Sequence, residues 1–420
     1  MTSLAVDLAT KLFVRSAPLP DIKNILSLLP AEGGLAWVHG AATDQHGIVG
    51  WDEIARITIS GPERFSRAQR WWSQQCAISE GDQPIAFASF AFDKQPGTSV
   101  VVVPKVCVKR DALGTTMTMT SDAPITDLEI SDLIAKISGP HVLSRGLNQV
   151  TWLDGSRPVV QWQAAVDMAV ARINSGELDK VVLARDIVAQ LDQPLHIGSL
   201  LLRLNEAFPE CWTFCVDGLV GATPELLIKR EGEHVTSRVL AGTMRRSRDS
   251  DRDGQLAAEL LGSDKDQEEH VYAVESVAAA LATHCTDLNV PARPFILRLA
   301  NVQHLATDVT GELVDAAPAL ALAASLHPTA AVCGTPTERA TQVIRELEGM
   351  DRGRYSAPVG WLAANGDGEF GIALRCALIE NDERTKLRLF AGCGIVAGST
   401  GESEVAESQA KFAAMKVALD

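Results

Sequence analysis

From about residue 150 onward, apolar and polar positions alternate between a helical period and strand-like runs. The stretch 158–175 predicts a helix, with Pro158 near its first turn and Gly176 closing it. The β-branched run KVVLARDIVA at 180–189 predicts a buried strand. A helix over 195–207 and strands at 211–217, 225–230 and 234–241 follow. Ser263, with Asp266 three residues later, reads as an N-cap with an acidic first turn, opening a helix to about Thr283. Strands near 295–301 and 305–313 precede helices near 316–325 and 336–348. The segment 355–380 reads as two apolar strands around an Asn-Gly-Asp-Gly turn. A strand at 386–396 then leads into a helix near 402–419. Upstream, strand-like runs at 55–60, 85–92 and 99–108 are separated by polar turns. Runs of strands broken by single or paired helices, without strict βαβ alternation, predict an α+β fold with largely antiparallel sheets. No Pro-, Ser- or Gly-rich linker separates 1–150 from 151–420, so one composite domain is expected, its first part folded onto the rest.

Composition narrows the functional classes. The 420 residues are 46% hydrophobic and 22% charged, which excludes intrinsic disorder. A net charge of −15 opposes nucleic acid and anionic lipid, and an anionic substrate would need a local basic pocket. The eight cysteines include no CxxC pair and read as reduced core thiols. The N-terminal stretch carries Asp7 and Lys11 and lacks a signal-peptide pattern, and no apolar run reaches membrane-span length. A cytoplasmic protein is expected.

Three local patterns lead nowhere. Asp249, Asp251, Asp253 and Gly254 imitate a calcium loop, but its twelfth position is Leu260, so a solvated acidic turn before a helix is the expectation. Gly392 and Gly394 follow a strand without a βαβ context, implying only that something approaches the backbone closely. The nine histidines offer no zinc-ligand pair.

Other residues carry candidate chemistry. Glu404, Glu407 and Lys411 fall on one face of the last helix, and alone that spacing reads as a solvated ion-pair face. Glu268, Glu269 and His270 are equally ambiguous. Together the two acidic helices contain oxygen ligands suited to a hard divalent ion. Lys180 and Glu225 border apolar runs, where a strand end reaching solvent is the ordinary reading. Arg375 lies inside GIALRCALI, and a buried arginine there needs an acid or an anionic ligand.

Taken in order, LDKVVLAR (178–185), GATPELL (221–227), LAGTMRR (240–246), SDKDQEEH (263–270), NVQHLATDV (301–309), LHPTAAVCGTP (326–336), DRGRYSAPVGW (351–361), GDGEFGIALR (366–375), FAGCGIV (390–396) and ESEVAESQAK (402–411) resemble the chorismate-utilising enzymes. That family comprises isochorismate, salicylate, anthranilate and aminodeoxychorismate synthases. The resemblance covers roughly 150–420 and makes 151–420 the chorismate-binding catalytic region, with 1–150 a variable part of the same fold. It implies the chorismate-binding fold of anthranilate synthase component I, a large, mainly antiparallel β-core flanked by helices, and magnesium as cofactor. It also implies that Lys180 is the general base activating water at C2 and Glu225 the general acid at the C4 hydroxyl. Glu269 and Glu407 become the metal ligands, with Glu404 and Asp266 beside them. Gly242, Thr243, His304, Tyr355, Arg375, Gly392 and Lys411 become substrate-binding positions. Such roles call for a Lys180 pKa lowered by burial and nearby positive charge, and a Glu225 pKa raised by desolvation.

Within the family, anthranilate synthases usually carry glutamine where this chain has Lys180, so water is favoured over ammonia. Salicylate synthases place threonine at the position of Ala331, and alanine favours release of isochorismate. The resemblance therefore implies an isomerase, an isochorismate synthase serving menaquinone or siderophore biosynthesis. It needs no amidotransferase partner, and a monomer is the default. The alternatives are a salicylate synthase, or an inactive chorismate-binding subunit.

Overall fold

The computed structural model describes residues 11–94, 97–139 and 148–419, so most of the N-terminal stretch read for a leader lies outside the described residues. Strands dominate, and every pairing among the described residues is antiparallel except Phe13–Leu19 with Glu80–Gly81. One series of neighbours runs Leu35–His39, Trp212–Val216, Leu219–Thr223, Cys376–Ile379, Lys386–Ile395, Lys180–Leu191. A second runs Ile85–Ser89, Pro358–Ala363, Gly368–Ile372, Leu226–Glu231, His234–Arg245, Val302–Leu313. Strands from before residue 150 are thus hydrogen-bonded into both series. Among the described residues, no helix is long and apolar enough to cross a membrane.

Local sequence explains the main elements. Trp162, Ala165, Val166, Ala169 and Ile173 form the buried stripe of the helix Val159–Asn174, at offsets that stay on one face. Lys180–Leu191 is covered on both faces, with all but one residue buried, so its run of β-branched residues shows no polar alternation. The helices Asp264–Leu281 and Gly401–Leu419 pack on the strands His234–Arg245 and Lys386–Ile395 respectively. Ser263 caps the first of them by accepting from the Asp266 amide at 3.3 Å, as its spacing predicts.

Two expectations need correction. The acidic segment 249–260 is not a solvated turn but the helix Ser250–Leu261. Asp249 caps it, and buried Asp253 receives the Arg246 guanidinium at 2.9 Å. The segment 355–380 contains three strands, because Arg375 adopts φ +48° and ends the hairpin. Beyond that residue, Cys376–Ile379 pairs with Leu219–Thr223 and Lys386–Ile395.

One buried ion pair joins several of these elements. Arg352 donates to Glu348 at 2.7 and 2.6 Å, and also to the carbonyls of Val332 (2.9 Å) and Val182 (2.8 Å). The Ala184 amide donates to Glu348 at 2.8 Å. The side chains of Glu348 and Arg352 are 1% and 3% exposed, so neither charge has water as an alternative partner. Glu348→Ala leaves a buried guanidinium uncompensated and is expected to cost about 3–5 kcal/mol. Urea denaturation of the full chain checks this, and a loss below about 1 kcal/mol contradicts the assignment.

Candidate active site

Where strands of both series meet the helices Asp264–Leu281 and Gly401–Leu419, a cleft opens. Its lining includes Glu225, Gly242, Thr243, Asp266, Glu269, His304, Ala331, Tyr355, Arg375, Gly392, Glu404, Glu407 and Lys411. Residues scattered over nearly half the chain's length therefore converge. Lys180 sits just behind this surface, 1% exposed, with its Nζ 2.8 Å from Glu269 Oε1.

The close approach inferred from the glycines is now explained. A Cβ at Gly394 would lie 2.7 Å from Glu269 Oε1 and 3.1 Å from Lys180 Cε. One at Gly392 would lie 3.0 Å from the Tyr355 hydroxyl. Gly242, at φ +73°, sits at a bulge opposite the Val302–Leu313 strand, where a Cβ would crowd Asp266. Tyr355 is itself fixed by stacking on Phe390, with ring centroids 5.0 Å apart.

Glu225 lies between the strands Leu219–Thr223 and Leu226–Glu231 and is buried. Loss of solvent pushes its pKa up to about 8, and the charges of Lys180, Arg375 and Lys411 only partly oppose this. It is therefore a carboxylic acid, not a carboxylate, at neutral pH. Burial acts on Glu269 in the same direction, but Lys180 beside it wins and holds its carboxyl below the ordinary value. Lys180 thus has an acid as its nearest charged partner, and not the cation expected from the sequence.

Two further groups favour an anionic ligand, and a third supplies an acceptor. Arg375 is half-buried and not fully buried as expected, and it makes no ion pair among the described residues. Its left-handed backbone turns the guanidinium-bearing residue to the cleft at a point where glycine would be the easy choice. Lys411 donates to the Gly392 carbonyl at 2.8 Å and to Glu407 at 2.5 Å, and Glu407 raises its pKa against the effect of burial. His304 contributes a neutral acceptor. Burial and the nearby Arg375 and Lys411 charges push its pKa down to about 3. Its Nδ1 faces the Gly242 carbonyl at 3.2 Å and Thr243 Oγ1 at 3.0 Å, while buried Nε2 has no partner. A proton on Nδ1 satisfies the carbonyl and leaves Nε2 as the bare acceptor.

On the opposite side, acids cluster without enough cations. Burial raises the pKa of Asp266, and Glu269 and Glu407 add to the rise. Glu404 is raised likewise, by burial and then by Glu407. Glu404 is 4% exposed, yet its Oε2 has no hydrogen-bond partner. An orphaned carboxylate oxygen among mutually repelling carboxylates fits a hard divalent cation, which binds through oxygen.

Not every sequence candidate belongs here. His270 turns to the sheet, where Nε2 meets Thr307 Oγ1 at 2.8 Å, and Glu268 is exposed. Two polar lining residues escaped the sequence reading. Lys265 stands four positions before Glu269 on the same helix, a spacing that offered a signal. Ser356, at φ +60°, gave none.

Comparison with known proteins places the chain in a family. The chain is 42% identical to isochorismate synthase DhbC of Bacillus subtilis over 270 residues, covering 61% of this chain and 67% of that protein. It is 34% identical to the vibriobactin-specific isochorismate synthase of Vibrio cholerae over 345 residues, covering 81% of this chain and 80% of that protein. The solved structure of MenF, the menaquinone-specific isochorismate synthase from Escherichia coli, superposes with a TM-score of 0.81 at 27% identity, covering 98% of this chain and 95% of that one. The family model described as "Chorismate binding enzyme" matches residues 14–420, and the chain belongs to that family.

Proposed function

We propose that this protein is an isochorismate synthase, converting chorismate to isochorismate by water attack at C2 and loss of the C4 hydroxyl. The observation that carries the reading is the placement of buried Glu225 in one cleft with Arg375, unpaired among the described residues, and with Lys180 immediately behind. Similarity to isochorismate synthases from several pathways supports the same reaction, whether for menaquinone or for a siderophore. Ala331 supports release of isochorismate without pyruvate elimination.

Each residue's part follows from its environment. Glu225, protonated at neutral pH, donates its proton to the departing hydroxyl. Lys180 takes the proton of the attacking water as a neutral amine, which requires Nζ first to pass its own proton to Glu269, 2.8 Å away, and then to turn towards the ring. Arg375 and Lys411 receive the substrate's carboxylates and locally offset the acidic surface. His304 Nε2 accepts a hydrogen bond from a substrate hydroxyl, and Tyr355, Thr243 and the backbone at Gly242 and Gly392 complete the ring pocket. Glu269, Glu407, Glu404 and Asp266 would hold magnesium, which supplies charge neutralisation for a bound carboxylate. The reading includes a cytoplasmic protein that acts as a monomer without an amidotransferase subunit.

Two kinds of measurement test it, the first of activity. Glu225→Gln and Lys180→Ala are each expected to lower kcat by about 10²–10⁴-fold. Chromatography of the products is expected to show isochorismate without pyruvate, and removal of divalent ions by a chelator to stop turnover. Salicylate with pyruvate, or near-normal turnover of Lys180→Ala, overturns the assignment. The second measurement concerns stability. Unfolded, Glu225 loses its proton near the ordinary value of 4.5, whereas folded it keeps it to about 8. The unfolded chain thus binds fewer protons in that window, and stability falls as pH rises, by up to about 1.4 kcal/mol per unit. Glu225→Gln removes this slope, so its Tm relative to wild type is expected to climb between pH 5 and 8. A constant difference across that range contradicts a protonated Glu225.

A further inference from the structure

The acidic cluster contains a donor that magnesium does not use. Cys393 lies on the strand Lys386–Ile395 between Gly392 and Gly394, fully buried where the helix Gly401–Leu419 packs over that strand. Its thiol contacts the Glu404 backbone carbonyl at 3.3 Å. Cys393 Sγ, a carboxylate oxygen of Glu404 and one of Glu407 all lie within 4.8 Å of one another. Glu404, 4% exposed, leaves its Oε2 without a hydrogen-bond partner among the described residues, so one of the donor carboxylates has an oxygen free for a ligand.

Ligand chemistry gives this arrangement a consequence. Magnesium selects oxygen and keeps several waters, so sulfur contributes nothing to its binding. Zinc and cobalt take thiolate together with carboxylate, at metal–sulfur distances of about 2.3 Å and metal–oxygen distances of about 2.0–2.2 Å. A tetrahedral ion with those bond lengths needs its donors roughly 3.3–3.8 Å apart, a separation inside the 4.8 Å that bounds the observed cluster.

We infer that Cys393, Glu404 and Glu407 form a binding site for thiophilic divalent ions, overlapping the proposed magnesium site and mutually exclusive with it. On binding, a metal–sulfur bond forms, the thiol proton passes to water, and the S–H contact with the Glu404 carbonyl breaks. No electron transfer is involved. Zinc therefore inhibits this protein by occupying two of the magnesium carboxylates from the protein side of the cleft. The inference rests on the reading of those carboxylates as magnesium ligands, and Cys393 has no part in the proposed reaction.

The full-length, reduced protein is titrated with cobalt(II) in the absence of magnesium, and thiolate ligation is read as a sulfur-to-cobalt charge-transfer band in the near ultraviolet. Wild type is expected to show the band, Cys393→Ala to lack it, and Cys333→Ala to keep it. In magnesium-supported turnover, Cys393→Ala is expected to need at least tenfold more zinc for half-inhibition. Cys393→Ser, which keeps a polar atom of similar size, serves if the alanine variant folds poorly. It too is expected to lose the band. No band in wild type, or a band that survives in both Cys393 variants, overturns the inference. Turnover of chorismate by wild type with magnesium alone is read separately. Its absence alongside an intact band defeats the proposed function and leaves the thiolate site standing.

Discussion

A buried ammonium needs a counter-charge, and in this protein that requirement ties the core to the cleft. Lys180 starts a strand covered on both faces, and its partner Glu269 comes from a helix packed on the other strand series. The contact therefore fixes the position of the helix as well as the charge of the lysine. Gly394 is the condition for it, since any side chain there would meet Glu269 Oε1. Lys411 and Glu407 repeat the arrangement within the last helix, with the Gly392 carbonyl as a third member. Two lysines, two glutamates and two glycines of one strand thus form the framework around which the remaining cleft residues are placed.

The cleft divides its charges by function. Glu225 sits where desolvation outweighs the neighbouring cations, so it keeps a proton that an exposed glutamate would have lost. Asp266 and Glu404 are held up by burial and by one another's neighbours, a tension that a divalent cation relieves. Among the described residues, Arg375 stands without a carboxylate partner and His304 Nε2 without a donor. A net charge of −15 is therefore compatible with an anionic ligand, because the opposing field is local.

How much of this was legible beforehand depended on whether the signal was local. The Ser263 cap, the apolar stripe of Val159–Asn174 and the run from Lys180 were readable, since each lies within a few turns or residues. The segment after Asp249 was not, because a solvated acidic turn and a capped helix begin with the same residues. What decides between them is the ion pair of Asp253 with Arg246 and the burial of Ala257 and Leu260. The left-handed conformation of Arg375 was also hidden, since nothing in GIALRCALI marks a strand break. Candidate site residues were identified from ordered motifs matching a known family, whereas spacing alone left Glu404, Glu407 and Lys411 as an ordinary charged helix face. Their convergence with Glu269 is a property of the packing, over more than a hundred residues of chain.

The strand Lys180–Leu191 pairs over residues 181–190 with Lys386–Ile395, roughly 200 positions later. During vectorial synthesis at about 5–20 residues per second, the first of these leaves the ribosome some ten to forty seconds before its neighbour exists. For that interval a mostly apolar strand presents an open edge, the kind of surface that recruits other nascent chains. Val150–Asp154, already synthesised, covers only the other edge, over Ile187–Leu191, so the edge that waits for Lys386–Ile395 is the one left bare.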